Sequence, residues 1–81
     1  MSWVKYDKDS LINLDKVIDI NVGKTHTTNG NFVWTINFYD IEEHRYPSRI
    51  YNSIEECMHD FEYLTICLES GKQYIDITNV L

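Results

Sequence analysis

Three histidines and two cysteines are the first residues to weigh for chemistry in this 81-residue chain. A helical metal site needs ligands at i and i+4 on one face. Glu55 and His59 have that spacing, whereas Cys57 and His59 are two apart and diverge. There is no C-x-x-C and no H-E-x-x-H. Glu55 and His59 therefore read as an exposed helical ion pair. No metal and no cofactor are expected.

Nucleophilic chemistry finds no better footing. Cys57 falls on an apolar stripe and reads as a small buried hydrophobe. Cys67 lies near a helix end, where the dipole raises a thiol pKa rather than lowering it. No serine sits in a strand–turn–helix elbow. The acid pairs Glu42-Glu43 and Glu55-Glu56 are adjacent in sequence, so their side chains diverge into solvent. Gly23-Lys24-Thr25 resembles the end of a phosphate loop, but it lacks the preceding glycines and no helix follows. No catalytic residue is expected, and the chain reads as non-enzymatic. On one helix the two cysteines would stand roughly 15 Å apart, too far for a disulfide. That fits a reduced, cytoplasmic setting.

The elements that carry these residues are legible from periodicity. Trp3–Tyr6 and Leu11–Leu14 read as short extended pieces around a polar turn at Asp7–Ser10. Val17–Val22 alternates, with Ile18, Ile20 and Val22 on one side and Asp19 and Asn21 on the other. Gly23–Asn31 is polar and contains Asn29-Gly30, a hairpin signal. Phe32–Tyr39 is the strongest strand: Phe32, Trp34, Ile36 and Phe38 form an apolar face opposite Val33, Thr35, Asn37 and Tyr39. His44–Tyr51 contains Pro47, which places it at an edge or bends it. Ser53 to Glu56 is a capping box. It opens a helix over about 54–70 with the stripe Ile54, Cys57, Met58, Phe61, Leu64 and Leu68. Glu55, Glu56, Asp60, Glu62 and Glu69 lie off that stripe, and Gly71 is a natural stop. Tyr74–Ile77 adds a short C-terminal strand. The fold class is α+β: an antiparallel meander of four to five strands, one face covered by a single amphipathic helix. Residues 1–81 form one domain. Phe61 and Leu64 are expected against Trp34 and Phe38.

Residues directly opposite in a hairpin share a face. A three-residue loop at Ile41–Glu43 sets Phe38 opposite Tyr46 and Trp34 opposite Ile50, with both apolar sets inward. A two-residue Asn29-Gly30 turn would set Ile20 opposite Tyr39. An odd loop there, or a bulge at Gly23, is needed to correct it.

This register defines two candidate surfaces. On the sheet's outer face Tyr39 lies opposite Arg45, Thr35 opposite Arg49 and Val33 opposite Tyr51, flanked by Asp19 and Asn21. Tyr and Arg are enriched at binding hot spots. On the outer helix, Tyr63 and Ile66 interrupt an acidic face. The candidate partner residues are thus Val33, Tyr39, Arg45, Arg49, Tyr51, Tyr63 and Ile66. The partner is a protein or a second copy, a homodimer formed through a sheet edge or the outer face. The strand near Trp3 or Tyr74 is the favoured seam, since Pro47 blunts the other edge.

The formal charge is −6. It gathers in residues 41–81, where eight acids face three bases. Such a chain repels nucleic acid and anionic membrane, and nothing in it approaches a membrane span. The acids solubilise the domain or meet a basic partner. A second reading is a small acidic inhibitor that imitates phosphate charge. A third is an enzyme whose site forms only on assembly.

The stretch Leu11-Ile12-Asn13-Leu14-Asp15-Lys16-Val17-Ile18-Asp19-Ile20, with a meander and the Ser53–Glu56 box after it, resembles short bacterial and phage α+β proteins bearing an I-N-L-D-x-V strand. The resemblance covers most of the chain and implies fold alone, with no site residues. The outline is also similar to pleckstrin-homology-like domains, which are larger and have two packed sheets.

Overall fold

The computed structural model describes residues 2–78. In chain order the elements are β1 (Trp3–Asp7), β2 (Ser10–Asn13), β3 (Val17–His26), β4 (Phe32–Asp40), β5 (Arg45–Pro47), α1 (Ile54–Glu69) and β6 (Tyr74–Asp76). The fold is α+β with a single helix among the described residues. The strands do not make one meander. They divide into two three-stranded sheets, ordered β2-β1-β6 and β3-β4-β5. The division falls at Leu14–Lys16, one turn of 3₁₀ helix. The Asn13 side chain caps that turn, accepting from the Asp15 N–H at 3.0 Å. The turn redirects the chain after β2, so β3 starts a new sheet.

In the first sheet Val4 lies opposite both Ile12 and Ile75. All three are buried, so one row of β-branched residues crosses the sheet on its inner side. Trp3, Leu11 and Tyr74 occupy the exposed side. β6 runs parallel to β1. β1 is therefore the middle strand, and the seam expected near Trp3 does not lie on a sheet edge.

In the second sheet Ile20 lies opposite Phe38 and Phe38 opposite Tyr46, as the odd-loop argument requires. The first hairpin closes through five residues, Thr27–Asn31, and β3 runs on through the polar segment to His26. Lys24 and His26 are held there by the Phe32 ring, at 3.9 and 4.3 Å from its centroid. The bulge falls at Ile18 rather than Gly23. It turns Ile18 out to 64 % exposure. The second hairpin turns through Ile41–Glu43, with Glu43 at φ 66° in the left-handed position such loops use.

Past Pro47 the register changes. The Ser48 N–H donates to Ile36 O at 2.8 Å, while Trp34 and Tyr51 exchange backbone hydrogen bonds at 2.8 and 2.9 Å. Arg49 and Ile50 together oppose Thr35 alone, a two-against-one bulge. It reverses the parity of everything after it. Tyr51, expected on the outer face opposite Val33, is fully buried opposite Trp34. Ile50, expected inside, is exposed.

The helix has the expected limits. Ser53 Oγ accepts from the Glu56 N–H at 3.2 Å. At the other end the Lys72 N–H reaches Cys67 O at 3.1 Å and the Gly71 N–H reaches Leu68 O at 3.2 Å, a Schellman closure. Gly71 takes the required positive φ, 76°. The buried side is Cys57, Asp60, Leu64 and Cys67. At 3.6 residues per turn this is rotated by roughly 70° from the stripe the sequence shows. Leu64 is buried in the core that contains Phe38, whereas Phe61 is half-buried, and Ile54, Met58 and Leu68 are exposed. One cluster draws on both sheets and the helix: Val4, Ile12, Ile75, Ile36, Phe38, Tyr51, Leu64 and their neighbours. The Tyr6 ring bridges the sheets, 5.7 Å from Phe38 and 6.3 Å from Tyr46.

Candidate functional site

The helix rotation has a polar cause. Tyr51 carries a hydroxyl into the core, and a buried hydroxyl needs a partner. Asp60 supplies it, accepting from Tyr51 Oη at 2.7 Å. Asp60 is only 5 % exposed, although its charge suggests a solvated position. The same carboxylate oxygen accepts from Arg49 Nη2 at 3.3 Å, and the other lies 3.3 Å from His59 Nδ1. The Arg49 guanidinium lies over the Tyr51 ring at 4.1 Å. Its Nε is buried without a partner. The bulge thus delivers Arg49 and Tyr51 to one carboxylate on the helix. Burial and the bond to Asp60 push the Tyr51 phenol far above its ordinary pKa, so it remains a donor. Burial, then the Asp60 charge, pushes the Cys57 thiol up to about 11 despite Arg49.

This cluster is a clamp between β-bulge and helix. Its acid is occupied by its own donors, its phenol stays protonated, and the adjacent thiol is buried and protonated at neutral pH. Among the described residues, no three His, Cys, Asp or Glu side chains are grouped to hold a metal ion. Both cysteines are free and buried. His59 pairs with Asp60 rather than with Glu55. Asp60 is the residue that sequence reasoning missed. The signal for it was its position three after Cys57 and four before Leu64, on the side both bury.

The expected partner surface separates into parts. Val33 and Tyr51 are buried, at 5 % and 0 %, and leave the surface. Arg49 joins the clamp, and in the bulge it shares the place opposite Thr35 with Ile50. Tyr39 and Arg45 are paired across β4 and β5 as expected, Arg45 exposed and Tyr39 half-buried. Beside them runs a chain of hydrogen bonds in one direction. Thr35 Oγ1 donates to Asn37 Oδ1, Asn37 Nδ2 to Asn21 Oδ1, and Asn21 Nδ2 to Asp19 Oδ2, at 2.8, 3.4 and 3.2 Å. Asn37 is buried at 3 % because its amide lies over Gly23, where a Cβ would collide with it. This face is polar, and its groups satisfy one another.

The outer helix differs. Tyr63 and Ile66 are 42 % and 64 % exposed. Glu55, Glu56, Glu62 and Glu69 are exposed around them, and α1 contains no Lys or Arg. Below Tyr63 a groove of about 330 Å³ is lined by His59, Asp60, Asp76 and Ile77 together with Tyr63 itself. A Thr78 hydroxyl bond, with help from the Thr78 N–H and Lys5, outweighs burial and holds the Asp76 carboxyl below its ordinary pKa. This acid is ionised at the mouth of the groove. The surface is suited to a cation beside an apolar group.

Comparison with protein-family models, with curated proteins and with solved structures finds no match to this chain. No helix among the described residues is long and apolar enough to cross a membrane.

Proposed function

We propose that the chain is a non-enzymatic protein-binding module that presents the outer face of α1 to a partner carrying basic and apolar side chains. The observation that carries this is the exposure of Tyr63 and Ile66 on a helix with four exposed glutamates and no Lys or Arg. An aromatic and a branched aliphatic side chain supply the apolar anchor, and the acids select and steer the partner. The groove beside Tyr63 accommodates one Lys or Arg side chain.

Charge density favours this over a phosphate mimic. Glu55 to Glu69 spans roughly 21 Å of helix. A duplex of that length carries about 12 phosphate charges, against four exposed acids here. The test is retention of proteins from an extract of the native cell. A partner held by wild type and by Tyr39→Ala, and released by Tyr63→Ala/Ile66→Ala with an unchanged circular dichroism spectrum, supports the reading. Retention that survives the double variant defeats it. Retention should also fall with salt, because exposed charges are screened.

A further inference from the structure

We propose a second site, independent of the outer helical face: the free edge of β3, which pairs antiparallel with β3 of a second copy of this chain. Among the described residues four strands lie at sheet edges, β2, β6, β3 and β5. β2, β5 and β6 have only three or four residues, and β5 contains Pro47. β3 has ten residues, no proline, and its one bulge at the far end near Ile18. A long edge of this kind is normally blocked by a projecting lysine, a proline or a central bulge. The single lysine of β3 does not block it, because Lys24 lies back over Phe32, on the β4 side.

The helix flank nearest this edge is apolar and uncovered. Leu68 shares a depression of about 390 Å³ with Leu14, Val17, Ile18, Asp19 and Ile20. Ile54, Met58, Phe61 and Thr65 continue from Leu68 along the same flank, and none is charged. Ile54, Met58 and Leu68 are stripe residues that rotation toward Asp60 left exposed, and Phe61 is half-buried at the core's margin. An antiparallel pair of identical strands is related by a two-fold axis normal to the sheet. That axis puts both helices on one side, so the two apolar flanks meet above a continuous six-stranded sheet, and Ile20 and Val22 of each copy meet beneath them.

Charge and area both admit a second copy. β3 holds one acid, Asp19, and one lysine, Lys24, so the seam is neutral although the chain carries −6. Ten residues of strand are roughly 33 Å long, and the sheet and helix layers together roughly 20 Å deep, which gives about 660 Å² per protomer. Stable interfaces bury about 800 Å² per partner. The strip is of that order.

Sedimentation equilibrium at tens of micromolar protein and moderate salt tests this. The expected species has twice the 9.7 kDa chain mass. Ile18→Glu and Met58→Glu place a charge in the seam at positions exposed in the single chain, so the fold tolerates them. Each should weaken association roughly tenfold or more with an unchanged circular dichroism spectrum. Tyr63→Ala/Ile66→Ala should leave association intact. Backbone amides of β3 should gain exchange protection as protein concentration rises. A 9.7 kDa species alone, a dimer without β3 protection, or a dimer broken by Tyr63→Ala/Ile66→Ala but not by Ile18→Glu would each overturn the proposal. The last outcome would place self-association on the outer helix and still leave the binding role of that face open to its own test.

Discussion

Removing one oxygen, in Tyr51→Phe, isolates the hydrogen bond that sets the helix rotation. The ring is fully buried and remains, so no cavity opens. The guanidinium of Arg49 keeps its place over that ring. What is lost is a 2.7 Å bond to a carboxylate and a longer contact, 3.4 Å, to Ile77 O. Hydrogen bonds to charged groups contribute about 1.5–3 kcal/mol. Asp60 keeps Arg49 and His59, so it is not left bare, and a value near 2 kcal/mol follows. A chain of this length has a total stability of roughly 4–12 kcal/mol. The loss is therefore a sixth to a half of it. For so small a domain it corresponds to a fall of about 8–16 °C in Tm. Urea denaturation followed by tryptophan fluorescence would measure it. A double-mutant cycle with Asp60→Asn should give a coupling of about 1 kcal/mol or more. A stability change for Tyr51→Phe within about 0.5 kcal/mol, the range of ordinary surface changes, would refute the clamp and with it the rotated helix.

Gly23→Ala should destabilise by about 1–2 kcal/mol, because the new Cβ displaces the buried Asn37 amide from Asn21 and Thr35; chemical denaturation measures this, and an unchanged midpoint would contradict the close approach. Both thiols should be inert to a colorimetric disulfide reagent in the native state and react fully in denaturant, since Cys57 and Cys67 are buried and Cys57 titrates only near pH 11. Asp40 gives a pH dependence. Partial burial works to raise its pKa, but hydrogen bonds from the His44 N–H, the Tyr46 hydroxyl and the His44 imidazole outweigh it and hold the carboxyl below its ordinary value. Its contribution is present in full above about pH 4 and is lost as pH falls through the lowered value. Asp40→Asn should accordingly flatten the acid limb of the stability curve, and an acid limb identical to wild type would remove Asp40 from that account.

The helix limits, the strand over Phe32–Tyr39 and the second hairpin's register as far as Pro47 were readable because each depends on local chemistry: Ser53 and Gly71 at caps, alternation in β4, parity across a short loop. What escaped was parity beyond Pro47. A bulge needs only one extra residue, and nothing in Arg49-Ile50 distinguishes it from ordinary strand. Its position follows from tertiary demand, the delivery of Tyr51 and Arg49 to Asp60. The helix stripe misled for the same reason. Hydrophobic periodicity placed the buried side over Phe61 and Met58, but the buried carboxylate and two small cysteine side chains define the packed side. The split into two sheets was hidden because β6 joins β1 from the other end of the described chain, a pairing no window of sequence reveals. The outer-face site lost Tyr51 through the bulge, and Val33, whose parity in β4 is unchanged, is buried there as well, while Tyr63 and Ile66 stand exposed on the helix.

The parallel pairing of β6 with β1 also sets an order of assembly. A ribosome releases residues one after another, at about 5–20 per second, so β1 and β2 emerge first and β6 last. Two strands alone are marginal in water. The second sheet is built entirely from neighbouring segments and can form as its hairpins appear. The first sheet must wait, one side of β1 unpaired, until the helix has turned at Gly71 and brought Tyr74–Asp76 back across it. Until then Val4 and Ile12 have no Ile75 beside them, and the nascent chain carries an open strand edge that β6 closes.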